Sequence, residues 1–326
     1  MSGRGCKTAC GCLLALGLAL GAQAHQVSAT EHRLDIVEKP NHTYHLKWTG
    51  PESDMRVVFP SGFQEQASSI GGERVVKCKQ TLVGRKVAIE GFDSSTKEVL
   101  VRTVLLNGDV QVEILSGDRS GFTMLATPSA WQVAGTYLGL GVEHILGGID
   151  HLMFVLGLIL ILTSWRQLAF AITAFTIAHS ITLALATFDV ISVPQAPVEA
   201  VIALSILFLA TEYAHQLKGT RGWTSRRPWL VSFSVGLLHG LGFASALSEI
   251  GLPRTEVPLA LLTFNVGVEV GQLAFVGAVL SLFFIVSRFV KQVPAWTKVV
   301  ASFGIGSLAA FWFIQRLFLL FMEVQS

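Results

Sequence analysis

Between Trp131 and Phe321 the chain is a succession of long apolar runs separated by short polar breaks. A bilayer accepts such runs as helices of about 20 residues, because each helix satisfies its own backbone N–H and C=O groups. Six candidate spans follow, at roughly 131–163, 167–188, 198–217, 229–248, 258–288 and 296–321. The first and fifth are longer than one crossing requires. Gly147-Gly148 interrupts the first, which reads as an amphipathic or re-entrant lead-in followed by a span from about Ile149. A lead-in that crossed fully would raise the count to seven. Composition agrees, since 14% of the residues are charged against about 25% in soluble domains. The net charge of +2 gives no footing for nucleic acid.

The first third is different. Arg4 and Lys7 precede a short apolar core at 13–20, and Ala22-Gln23-Ala24 offers a small-x-small cleavage site before His25. Residues 1–24 are therefore expected to be a cleaved signal peptide. Cys6, Cys10 and Cys12 would leave with it, so Cys78 would have no partner for an internal disulfide.

Residues 25–127 alternate with the period of strands, for example at 44–48, 55–59, 74–79, 86–90 and 99–105. Breaks such as Pro51-Glu52-Ser53 and Gly71-Gly72 separate them, and Asn107-Gly108 is a hairpin signal. The expectation is a small, all-β, sandwich-like domain outside the cytoplasm. Four of the nine histidines, His25, His32, His42 and His45, fall early in it. They read as surface histidines, with His42 and His45 on opposite faces of one strand. Residues 128–326 would form the membrane domain.

Lys and Arg set the orientation. Arg166, then Lys218, Arg221, Arg226 and Arg227, then Arg288, Lys291 and Lys298 fall on alternate loops. The opposite loops hold Asp189, Glu249, Arg254 and Glu256. Eight basic residues against one place the first set in the cytoplasm. The β-domain then lies outside, as export by a signal peptide requires. The expected location is a bacterial inner membrane.

Ionisable groups inside a membrane are costly, so each marks a candidate site. The densest run is Glu143-His144-Ile145-Leu146-Gly147-Gly148-Ile149-Asp150-His151. On a continuous helix, His144 and His151 would share one face, as would Glu143 and Asp150. Imidazole nitrogen and carboxylate oxygen suit Ni, Co, Zn or Fe, and a carboxylate beside a histidine can instead orient its ring. His179 with Ser180, then His239, then Asn265, Glu269 and Gln272 repeat the theme in other spans. Their recurrence in apolar helices points to one shared polar cavity. Glu212 and His215 read as interfacial, and Glu199 as a first-turn acid that suits the helix dipole.

The run from His144 to His151 resembles the HPxxGxDH signature of the HupE/UreJ family of nickel permeases. The spacing, the glycine and the Asp-His pair match, and the likeness continues through Ala178-His179-Ser180 and Leu238-His239-Gly240. It is also close in kind to the HxxxxDH signature of nickel/cobalt transporters, one residue longer here. Ile145 stands where the family's proline is usual, so the local bend must come from Gly147-Gly148. The β-domain marks an extended subgroup. Nickel transport is what the resemblance implies.

The leading expectation is a permease for a divalent transition metal held by His144, Asp150 and His151, with His179, His239 and Glu269 completing the site or continuing the path. Glu143, Ser180, Asn265 and Gln272 are supporting polar groups. Partners compatible with this reading are the metal ion, the lipid bilayer, a second copy of the chain or a periplasmic metal-delivery protein. The competing expectation is an intramembrane metal-dependent hydrolase. There a Zn ion would activate water, Glu269 or Glu143 would serve as general base, and Ser180 would lie nearby.

Overall fold

The computed structural model describes residues 32–50, 55–60, 66–70, 73–92, 98–127, 129–253, 256–290 and 294–325. The expected signal peptide, His25, the breaks at Pro51-Glu52-Ser53 and Gly71-Gly72, and the basic residues Arg254 and Lys291 lie outside them. Two compact units are distinguished. One holds the strands, with the described residues from 32 to 141 and from 246 to 264; the other holds those from 142 to 245 and from 265 onward.

The N-terminal strands are β1 (His32–Lys39), β2 (Thr43–Thr49), β3 (Arg56–Val58), β4 (Gln66–Ile70), β5 (Glu73–Lys77), β6 (Lys86–Glu90), β7 (Glu98–Val104), β8 (Val110–Ser116) and β9 (Gly121–Thr123). Strands β4-β5-β2-β1-β7-β8 form one sheet and β3-β6-β9 another. Alternation decides which faces meet: Leu34 and Ile36 of β1 and Tyr44 and Leu46 of β2 are buried. Val87 and Ile89 of β6 and Phe122 of β9 join them in one apolar core, so the two sheets sandwich it. Burying these side chains contributes roughly 1.5–3 kcal/mol each.

The Asn107-Gly108 hairpin forms between β7 and β8. Gly108 takes φ +84, and the Asp109 N–H donates to Asn107 Oδ1 at 2.9 Å. One pairing departs from hairpin logic: β1 lies parallel to β7, from His32 opposite Val99 to Val37 opposite Val104.

Two of the histidines depart from the expectation. His42 sits in the β1–β2 turn with φ +53, so it does not share a strand with His45. His32 is buried at the start of β1, not on the surface. The buried Tyr44 hydroxyl donates to Glu38 Oε1 at 3.1 Å and accepts from the Leu82 N–H at 2.9 Å. Burial pushes its pKa up, so it stays a neutral linker.

The helices are α1 (Ala130–Gly147), α2 (Ile149–Ile161), α3 (Trp165–Thr187), α4 (Gln195–Leu217), α5 (Trp223–Arg226), α6 (Pro228–Ile250), α7 (Val257–Phe289) and α8 (Ala295–Gln325). Among the described residues, α3, α4, α7 and α8 are long and apolar enough to cross a membrane. Helices α1 and α2 qualify together as a pair bent by 71°, which gives four to five candidate spans in a multi-pass membrane protein. The apolar part of α6, Pro228–Ala244, is shorter.

The helical core draws Phe154 and Leu158 from α2, Phe175 from α3, Ile206 and Leu209 from α4, and Trp312 from α8. Large apolar side chains elsewhere on α7 and α8, such as Phe284 and Phe318, are exposed, as lipid-facing surface must be.

Two acids have structural work. Glu212 accepts from the Trp223 and Thr224 N–H groups at 3.1 and 2.7 Å, capping the start of α5. Glu199 accepts from Gln195 Nε2 at 2.9 Å and pairs at 3.4 Å with Arg316, a residue of α8 only 8% exposed. Breaking a fully buried ion pair costs about 3–5 kcal/mol, and the side chain of Glu199 is 17% exposed. Arg316→Met should therefore destabilise by about 2 kcal/mol. The double variant Arg316→Met/Glu199→Gln should recover most of the loss in thermal unfolding in detergent.

Candidate metal centre

The break between α1 and α2 is the first element of the site. Gly148 is extended at φ −81 and ψ 95. A Cβ there would come within 2.6 Å of His151 Nδ1 and 2.9 Å of the His144 carbonyl oxygen. Only glycine lets the chain turn so tightly around the two rings. His144 and His151 therefore do not meet along one face of a continuous helix. The bend folds α2 back, and their ring centroids lie 4.7 Å apart, edge to face.

Asp150 and His151 fall in the first turn of α2, where an acid suits the dipole. Asp150 Oδ1 accepts from the His151 backbone N–H at 2.8 Å and lies 2.9 Å from its Nδ1. A carboxylate only accepts, so Nδ1 carries the proton and Nε2 keeps the lone pair a metal needs. Among the described residues, His151 Nε2 is buried without a hydrogen-bond partner. That is costly in an apolar setting unless the atom has another use.

His179 arrives from α3 and His239 from α6. Both are enclosed, at 0% and 1% exposure, as are Asp150 and His151 at 3% each. Glycine again permits the approach: a Cβ on Gly236 would strike the Phe175 carbonyl, and one on Gly240 the His179 carbonyl and Thr182 hydroxyl. These two glycines, four residues apart, form the close-packing ridge of α6 against α3.

Two overlapping groups of ligand atoms result. Those of His144, His151 and His179 lie within 4.8 Å of one another, and so do those of Asp150, His151 and His239. Phenylalanines wall the cluster. Phe243 packs on His144 at 3.9 Å between centroids, and Phe175 lies 5.2 Å from His239 and stacks on His179 at 6.1 Å. The sequence reading missed this wall. Its signal was helical spacing, since Phe175 precedes His179 by four residues and Phe243 follows His239 by four.

The other expected residues are placed as follows. Asn265 Oδ1 accepts from His179 Nδ1 at 2.9 Å, which aims His179 Nε2 elsewhere. Glu269 is half-buried, accepts from the Thr173 hydroxyl at 2.6 Å, and is not among the clustered ligand atoms. Thr176 donates to Gln272 Oε1 at 3.4 Å. These contacts tie α3 to α7. Ser180 donates to the Thr176 carbonyl of its own helix at 2.7 Å. Glu143 is half-buried on α1 and also lies outside the ligand groups. Asn265→Leu should weaken metal affinity by about 10–100-fold with the fold intact, whereas Asn265→Asp, which keeps the acceptor, should not. Metal titration of both purified variants checks this.

No curated protein and no solved structure matches the chain. A family does: residues 120–316, well over half of the chain, match the family described as HupE / UreJ protein. The match spans the bent helix pair and the histidines of α3 and α6, so this chain belongs to the HupE/UreJ protein family.

Proposed function

We propose that this protein is a permease that carries a divalent transition-metal ion, nickel foremost, through an intramembrane site of His144, Asp150, His151, His179 and His239. The observation that carries the reading is the convergence of four imidazoles and a carboxylate, from four helices, in an apolar enclosure. Such donors favour Ni, Co or Zn over Mg or Ca. Membership of the HupE/UreJ family supports metal transport as the purpose.

The layout that fits has residues 1–24 as a signal peptide and 25–127 outside the inner membrane of a bacterium. Residues 128–326 then cross it six times, with the basic loops in the cytoplasm. Nothing favours the hydrolase, because Glu269 and Ser180 are engaged by Thr173 and by the Thr176 carbonyl, away from the clustered ligand atoms. Glu269 is better read as a helix-to-helix contact bordering the path.

Reconstituted vesicles test the proposal with Ni²⁺, Co²⁺, Zn²⁺ and Mg²⁺ supplied outside. Saturable flux of at least one transition metal, and none of Mg²⁺, is expected; vesicles as impermeable as protein-free ones would sink the reading. Protons compete with metal for imidazole lone pairs. Acidification should therefore reduce flux, whereas flux that rises with acidity would contradict histidine ligation.

A further inference from the structure

We propose that the cluster is not one site but two overlapping three-ligand sites that share His151, between which a single ion is handed. The inference rests on the transport reading and deepens it. His151 is the one residue common to both groups of mutually close ligand atoms. Its Nδ1 is held by Asp150, and its Nε2 is buried with no hydrogen-bond partner among the described residues.

An imidazole nitrogen has one in-plane lone pair and serves one ion at a time. Filling one triad therefore empties the other. Two dications so close would also repel strongly in a low-dielectric enclosure.

The two triads differ in chemistry. His144, His151 and His179 are three neutral donors that leave the full charge of the ion uncompensated. Asp150, His151 and His239 include a carboxylate that cancels one unit of it. The carboxylate triad therefore attracts the cation more strongly than the neutral one. The ion is accepted at the three-imidazole triad and passes to the carboxylate triad. His151 stays bound throughout, so the ion never loses all its protein ligands.

Ni²⁺ binding and Ni²⁺ flux, measured on the full chain in wild type, His179→Ala, His239→Ala and His151→Ala, test this. Wild type should bind one ion. His179→Ala and His239→Ala should each still bind one ion through the remaining triad, yet lose flux by more than about 10-fold. His151→Ala should lose both. His179→Gln and His239→Gln, closer in volume, should repeat the pattern, and retained binding itself reports a folded site. Two ions bound to wild type, binding lost equally in all three alanine variants, or wild-type flux in His179→Ala or His239→Ala would overturn the proposal. A wild type without flux would overturn transport itself, and the variants' binding stoichiometries would still decide whether the sites overlap.

Discussion

Replacing His151 with alanine should abolish nickel binding and flux, with a fall of more than about 100-fold in affinity. Losing a group that merely orients a ligand typically costs 10–100-fold, and His151 belongs to both groups of ligand atoms. The variant should fold, because the ring is held by its neighbour Asp150 and by edge contacts with other rings, not by a backbone cap. The comparison is Asp150→Asn, which keeps an acceptor for the His151 Nδ1 proton but removes the charge. It should weaken binding by less than His151→Ala does. Direct titration measures both, and His151→Ala protein that binds nickel as tightly as wild type would remove the basis for the site.

Gly240→Val should have the second largest effect, by a different route. Its side chain would be driven into the His179 carbonyl and the Thr182 hydroxyl, and a helix backbone cannot yield as a flexible side chain can. Overpacking of this kind costs about 1–3 kcal/mol or more. Here the strain would separate α3 from α6 and carry His239 away from Asp150 and His151. Thermal stability and metal affinity should both fall. Gly304→Ala on α8 is the control, because a Cβ there meets nothing within 4 Å. Equal losses in the two variants would show that general helix effects, and not this contact, are responsible.

How much of this was legible in the sequence depends on how far apart the interacting residues are. The strand 86–90 was readable from alternation alone, as was the Asn107-Gly108 hairpin, since both are local. The pairing of β1 with β7 was not, because alternation says which face is buried but not which strand lies alongside.

In the site, Gly147-Gly148 announced a break, and Gly148 supplies it. The seven-residue spacing paired two histidines whose rings do lie side by side, but a 71° bend and not a common helix face joins them. Asn265 and Glu269 share a helix face by spacing, yet one reaches His179 and the other Thr173. Side-chain length and the crossing of α3 with α7 decide that, and neither is written in the spacing. The acid-base pair of Glu199 and Arg316 was hidden for a similar reason, being 117 residues apart.

The parallel pairing of β1 and β7 has a consequence for how the protein is made. The chain emerges N-terminus first, and its first described strand belongs in the middle of the six-stranded sheet, flanked by β2 and β7. The hairpin with β2 can close at once, but the other edge of β1 waits until Val104 has emerged. For the synthesis of more than 60 further residues, the edge backbone groups of β1 are a template for mispairing with any passing strand. Fast local closure is thus available to only one edge of β1. Cells producing the protein should need a holding factor on that edge, or show aggregation that worsens when elongation is slowed between residues 40 and 104.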